Sequence, residues 1–143
     1  MTSTIQVDER LSIARGIPLS EEEGIGPLTL GAYAKEVTSR FADNEMGCMR
    51  DTAGEGMIRW SYGELGANAM EVARALVACG IGKGTRVGIM TTNRLEYFSC
   101  FFGAALAGGV ATPLSTFSTP AELEALLRLS GVSCWRISSA TLR

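Results

Sequence analysis

The stretch Arg86 to Leu114, RVGIMTTNRLEYFSCFFGAALAGGVATPL, constrains this chain more than any other. Val87, Gly88, Ile89 and Met90 form a short apolar run after Gly82-Lys83-Gly84, and Thr91-Thr92 lead it into a polar turn. Asn93 with Glu96 three residues later predicts a helix N-terminus, and Gly108-Gly109 predicts its end. Val110 to Leu114 then reads as a second short strand, with Pro113 tolerable only near its end. Two buried strands joined by a helical crossover must be parallel, because a tight turn yields only an antiparallel pair. The unit is therefore βαβ.

The flanking segments extend that pattern. Leu30, Tyr33, Ala34, Val37 and Phe41 recur at spacings of three and four, which predicts an amphipathic helix beginning near Thr29. Met46 to Arg50 and Met57 to Trp60, separated by Asp51-Thr52-Ala53-Gly54-Glu55-Gly56, predict a hairpin. Ser61 with Glu64 is a capping box, and Leu65, Ala69, Val72, Ala73 and Leu76 share one face of the helix that follows. Gly80 suits the left-handed position that ends it, with Ile81 beyond to touch the last turn. Thr119-Pro120-Ala121-Glu122 is a second capping box, its helix running through Leu123, Leu126, Leu127 and Ser130 to Gly131. Val132 to Ile137 has strand composition. The expected fold class is α/β, a partial doubly wound sheet with parallel βαβ units and an N-terminal helix plus hairpin. Residues 1–27 are expected to be an irregular N-terminal arm, given Pro18, Glu21-Glu22-Glu23, Gly24, Gly26 and Pro27.

Several function classes are excluded by what the chain contains. It has 13 basic and 15 acidic residues and no basic cluster, so electrostatics gives no reason to expect a nucleic-acid partner. It has no histidine, which removes Ser-His-Asp, Cys-His and His-ligated metal schemes unless another chain supplies the imidazole. Cys48, Cys79, Cys100 and Cys134 are widely spaced with no Cys-x-x-Cys pair, and read as reduced structural cysteines. Gly80-Ile81-Gly82-Lys83-Gly84-Thr85 has the residue types of a phosphate loop in the wrong order. Gly84 separates Lys83 from Thr85, and the segment leaves a helix to enter a strand, so a glycine-rich helix stop is the reading. No charge occurs between Tyr97 and Ala121, yet a helix from Arg94 to Ala107 spans only about 21 Å against a hydrocarbon core of about 30 Å. A buried crossover helix is expected, with no transmembrane segment. MTSTIQVDER lacks the apolar core of a secretory signal, and the expected location is cytoplasmic.

Arg94 and Glu96 stand at the carboxyl end of the first parallel strand, where open α/β sheets bind ligands, and are the best-placed polar groups. The plain alternative is that Glu96 caps its own helix and Arg94 is solvated. Neither reading supplies a paired carboxylate site or an activated nucleophile, so no catalytic, cofactor-binding or metal-binding residue is assigned.

Five blocks, Trp60-Ser61-Tyr62-Gly63-Glu64-Leu65, Ala73-Arg74-Ala75-Leu76, Gly80 to Val87, Asn93-Arg94-Leu95-Glu96-Tyr97 and Ala107 to Leu114, resemble in order and spacing the N-terminal part of the AMP-forming acyl-CoA synthetases, the adenylate-forming superfamily. The resemblance covers roughly residues 28 to 131, and departs at Thr85, where the family usually carries aspartate. It implies carboxylate activation with ATP and Mg, through an acyl-adenylate and pyrophosphate, then transfer to coenzyme A. Ser115 to Thr119 looks most like members acting on fatty or similarly apolar acids. The family's phosphate loop ending in Pro-Lys, its Tyr-x-x-Thr-Glu and Thr-Gly-Asp segments and its C-terminal lysine do not occur here. The expectation is thus an incomplete N-terminal subdomain over 28–132, inactive by itself and binding ATP, Mg or coenzyme A poorly. Exposed apolar surface would favour self-association. A non-catalytic interaction module and a small flavodoxin-like ligand-binding domain are the alternatives.

Residues 133–143 are expected to be an aberrant tail. Ser133-Cys134-Trp135-Arg136 is poor content for a strand buried on both faces. Read one base earlier, any codons for it give Leu, Met or Val, then Leu, then Ala or Glu, which restores an apolar strand. A frameshift near Ser133 is the expectation, a natural short protein the competing one, and the genomic DNA beyond this point decides between them.

Overall fold

The computed structural model describes residues 6–8, 13–15, 18, 21, 29–51 and 54–133. Strands β1 (Gln6–Asp8) and β2 (Ile13–Arg15) pair antiparallel, Val7 opposite Ala14. The arm expected to be irregular therefore carries a short antiparallel pair of strands. Helix α1 (Leu30–Arg40) starts at Thr29, whose Oγ1 accepts the Ala32 N–H at 3.2 Å. Strands β3 (Glu45–Arg50) and β4 (Met57–Ser61) form the second antiparallel hairpin, with an irregularity between Glu45 and Gly47.

Helix α2 (Tyr62–Ala78) opens on the expected capping box. Ser61 Oγ accepts the Glu64 N–H at 3.1 Å, and Glu64 Oε2 accepts the Ser61 N–H at 2.7 Å. Leu65, Ala69, Ala73 and Leu76 are its buried face. Gly80 at φ 81° reverses the chain, and the Ile81 N–H returns to the Leu76 carbonyl at 3.0 Å. Strand β5 (Arg86–Ile89), helix α3 (Leu95–Leu106) and strand β6 (Val110–Pro113) complete the βαβ unit, with β5 and β6 parallel and Val87 beside Ala111.

Helix α4 (Pro120–Ser130) has its own capping box between Thr119 and Glu122 and ends at Gly131 with φ 59°. Ser133 then forms a parallel bridge to Val87, its N–H donating to the Arg86 carbonyl at 3.0 Å. So β5 pairs with β6 on one side and meets Ser133 in a single parallel bridge on the other. The remainder of Val132–Ile137, and the tail beyond it, lie outside the described residues.

The core gathers around β5. Val87 packs with Leu76, Ile81 and Ala104, so α2 and α3 cover that face. The opposite face closes over Gly88, where a Cβ would lie 2.6 Å from Val132 Cγ1 and 3.3 Å from Leu114 Cδ1. A strand covered on both faces reads as a continuous apolar run rather than an alternation, as Val87-Gly88-Ile89 does. Helices α2 and α3 approach closely because α3 turns Ser99 and Gly103 inward; a Cβ on Gly103 would sit 2.6 Å from Val72 Cγ1 and 3.0 Å from the Ala69 carbonyl oxygen. By contrast α4 buries none of its residues, and Leu129 is 84% exposed. No helix among the described residues is long and apolar enough to cross a membrane.

Overpacking of this helix contact should outweigh the gain in helix propensity, so Gly103→Ala is expected to lose about 1–2 kcal/mol of stability in urea unfolding. Gly82→Ala meets nothing within 4 Å and is expected to stay within about 0.5 kcal/mol of the parent.

Candidate functional site

A cleft of about 520 Å³ opens at the carboxyl ends of β5 and β6. Three segments build it. Thr91, Asn93 and Arg94 follow β5, Leu114 to Phe117 follow β6, and Cys48 and Met49 reach in from β3. Leu95, Tyr97 and Phe98 of the first turns of α3 supply the floor. This is the position at which parallel sheets leave room for a ligand, because the chain diverges there toward successive crossovers.

Arg94, rather than Asn93, is the N-cap residue of α3, and it makes no side-chain cap hydrogen bond. Its guanidinium instead binds Glu96 in a fork, Nη2 to Oε1 at 2.9 Å and Nε to Oε2 at 3.2 Å. The expectation that Glu96 caps the helix and Arg94 is solvated is corrected here. A planar guanidinium two residues away offers the carboxylate two charge-assisted bonds, a stronger claim on it than one backbone N–H. Both side chains are largely shielded from solvent. The Arg94 hydrogen bond holds the Glu96 carboxyl below its ordinary pKa against the opposing effect of burial, and the Glu96 bond raises that of Arg94, with Asp51 adding attraction.

The cleft therefore combines apolar walls with a single charge that already has a partner. Among the described residues lining it, Arg94 is the one ionisable side chain carrying charge at neutral pH. No group of three His, Cys, Asp or Glu among the described residues could hold a metal ion. The glycine-rich segment proves to be a turn between α2 and β5. Gly84 at φ 82° donates its N–H to the Gly108 carbonyl at 3.0 Å, and the Thr85 N–H bonds the Gly82 carbonyl at 3.0 Å. Those N–H groups are committed to the backbone rather than aimed at an anion.

Cys48, Cys79 and Cys100 are free thiols, of which only Cys100 is buried. The structural reading holds for Cys100, while Cys48 and Cys79 are exposed; Cys134 lies outside the described residues. The Met49 and Cys48 contribution was not legible beforehand, since a hairpin's place against a sheet end depends on contacts distant in sequence. The Ser115–Phe117 contribution had a signal, namely its position directly after the second parallel strand.

Comparisons with known proteins agree with this geometry. The family model described as AMP-binding enzyme matches residues 41–140. "Acyl-CoA ligase SID4" of Ajellomyces capsulatus is 32% identical over 127 residues, covering 89% of this chain and 20% of the relative. "Long-chain-fatty-acid–CoA ligase FadD13" of Mycobacterium tuberculosis is 38% identical over 74 residues, covering 52% of this chain and 15% of the relative. The solved N-terminal domain of FACL13 from Mycobacterium tuberculosis superposes with a TM-score of 0.64 at 27% identity, over 74% of this chain and 26% of that one. The chain thus spans about a fifth or less of the length of these curated relatives.

Burial pushes the Cys100 thiol up to about 11, so it should stay protonated and unreactive at pH 8. Mass spectrometry after iodoacetamide is expected to find Cys48 and Cys79 modified and Cys100 modified only once the chain is unfolded. For Glu96, a folded pKa below the unfolded value means stability that is present above about pH 4.3 and is lost as pH falls through the folded pKa. In Glu96→Gln the fall in melting temperature across that acid window is expected to be shallower than in the parent, as scanning calorimetry would register.

Proposed function

Because this chain belongs to the AMP-binding enzyme family, we propose that it acts as the N-terminal part of an ATP-dependent acyl-CoA ligase. The observation that carries the proposal is the family match over residues 41–140, which spans β4, α2 and the whole βαβ unit in one continuous block. In the reaction so proposed, a carboxylate attacks the α-phosphorus of ATP and displaces pyrophosphate. The thiol of coenzyme A then attacks the acyl carbon and releases AMP. The acid is fatty or similarly apolar, a reading supported by the apolar walls of the cleft and by the name of the mycobacterial relative.

The role of this chain in that chemistry is scaffolding. Phosphoryl chemistry needs cations and backbone donors set around the phosphates. Arg94 is neutralised by Glu96, and the 143 residues contain no Pro-Lys phosphate loop. The isolated chain is therefore inactive, with weak affinity for ATP, Mg and coenzyme A. In this reading residues 28–132 are part of the N-terminal subdomain of such a ligase. A cytoplasmic location and self-association through exposed apolar side chains such as Leu126 and Leu129 complete the proposal.

A chimera tests it directly. Residues 29–131 of this chain replace the matching block of the mycobacterial ligase, and acyl-CoA formation is assayed with a panel of fatty acids. Turnover within about tenfold of the parent ligase is expected, a loss of roughly 1.4 kcal/mol or less in transition-state stabilisation. A folded chimera without activity would count against the proposal. The isolated chain should give no ATP-pyrophosphate exchange, and clear exchange by pure protein would refute its assigned inactivity.

A further inference from the structure

A parallel sheet is stable when both of its faces are covered, because the crossovers between its strands lay helices over them. The two faces here are unequal. On one, Val87 and Ala111 pack against Leu76 of α2 and Ala104 of α3. Alternation along the paired strands turns Gly88, Val110 and Thr112 to the other, the face on which Val132 and Leu114 close over Gly88 and Arg86 holds the end of α4. Cover there is thin: α4 buries none of its residues, and Val110 is 49% exposed. Helix α4 is nevertheless amphipathic. Leu126 and Leu129, one turn apart on one flank, are 41% and 84% exposed, while the ion pair of Arg128 with Glu124 projects from the opposite flank. Glu122, which shares the leucine flank, is turned back to the Thr119 N–H in the capping box. An apolar helix flank left in water is a surface that a further layer would bury.

The relatives bear on what that layer is. The family match runs without a break through α4, so this helix belongs to the part of the chain shared with the ligases and not to an appended segment. The fungal ligase SID4 is matched over 20% of its length, which leaves most of its chain to pack against this part. We propose that the leucine flank of α4 is the seam along which this subdomain receives an apolar layer from the rest of the ligase. The inference rests on the acyl-CoA ligase reading for the identity of the partner, and on the uncovered face for its place. Self-association of the isolated chain is then a substitute, a second copy burying the same leucines while the proper layer is missing.

Leu129→Cys and Glu124→Cys, on opposite flanks of α4 and both at exposed positions, provide the test. Each substitution is made in this chain, diluted until it sediments as a monomer, and in the chimera with the mycobacterial ligase, whose grafted block contains α4. The rate of iodoacetamide modification at each introduced thiol is followed by mass spectrometry. Both are expected to react at similar rates in the isolated chain. In the folded chimera Leu129→Cys should slow by at least about tenfold and Glu124→Cys by less than about threefold. Equal rates at the two positions in the chimera, whether both fast or both slow, overturn the proposal. Where the chimera does not fold, the isolated chain decides. Light scattering at about 100 µM should show association in the parent and in Val77→Lys, an exposed position on α2, but a monomer in the double variant Leu126→Lys, Leu129→Lys. A monomeric parent, or a double variant that associates as the parent does, overturns the proposal in that case. A folded but inactive chimera with Leu129→Cys protected would sink the ligase reading alone. An active chimera with Leu129→Cys as reactive as in the isolated chain would sink this one alone.

Discussion

The parallel pairing of β5 with β6 is the constraint on which the rest of the structure depends. Parallel strands cannot be joined by a tight turn, so the chain must cross over the sheet, and the crossover helix α3 needs an apolar floor beneath it. Val87 and Ala104 meet at that floor, and Leu76 and Ile81 of the preceding helix and turn fill the space beside them. The second crossover, through α4, brings Val132 against the other side of β5 over Gly88. Only glycine leaves room for that contact, so the strand that organises the core carries its smallest residue on the face that meets Val132 and Leu114.

The two crossovers are unequal. Helix α3 buries Leu95, Ser99, Cys100, Gly103 and Ala104 against its neighbours, whereas α4 buries nothing and is tied back by the Arg86 guanidinium, which donates to the Ser130 carbonyl at 3.0 Å. An exposed hydrogen bond of that kind contributes about 1 kcal/mol, far less than a closely packed helix face. The strong half of the unit holds the floor of the cleft, and the weak half holds the loop from Leu114 to Phe117 that forms its rim. The Arg94–Glu96 fork then sets the electrical character of the space between them, leaving apolar surface and neutral dipoles to meet whatever enters.

Much of this was legible from local sequence. The capping boxes at Ser61 and Thr119, the left-handed Gly80 and the helix end at Gly131 appear as expected, because each depends on residues within a few positions of one another, and the crossover from Arg86 to Leu114 follows from their order. The errors share a physical origin. Asn93 and Glu96 have the spacing of a cap, but Arg94 competes for the same carboxylate with two charged donors and prevails. The cysteines look alike in their apolar surroundings, yet burial separates Cys100, 2% exposed, from Cys48 and Cys79. The short strand pair of β1 and β2 escaped notice because three-residue strands carry too little periodicity to stand out.

Local propensity and hydrophobic spacing by themselves determined the order of elements, the parallel sense of β5 and β6 and the family resemblance, since all three are written in short-range pattern. Tertiary structure alone decided which surfaces come together. The cleft exists because a hairpin some forty residues upstream lays Cys48 and Met49 against the ends of two strands, a placement set by packing rather than by any residue's own preference. The pairing of Arg94 is by contrast local, since Glu96 lies two residues away. At the mouth of the parallel strand its guanidinium is held against Glu96, and it is the surrounding fold that leaves both side chains only 23% exposed.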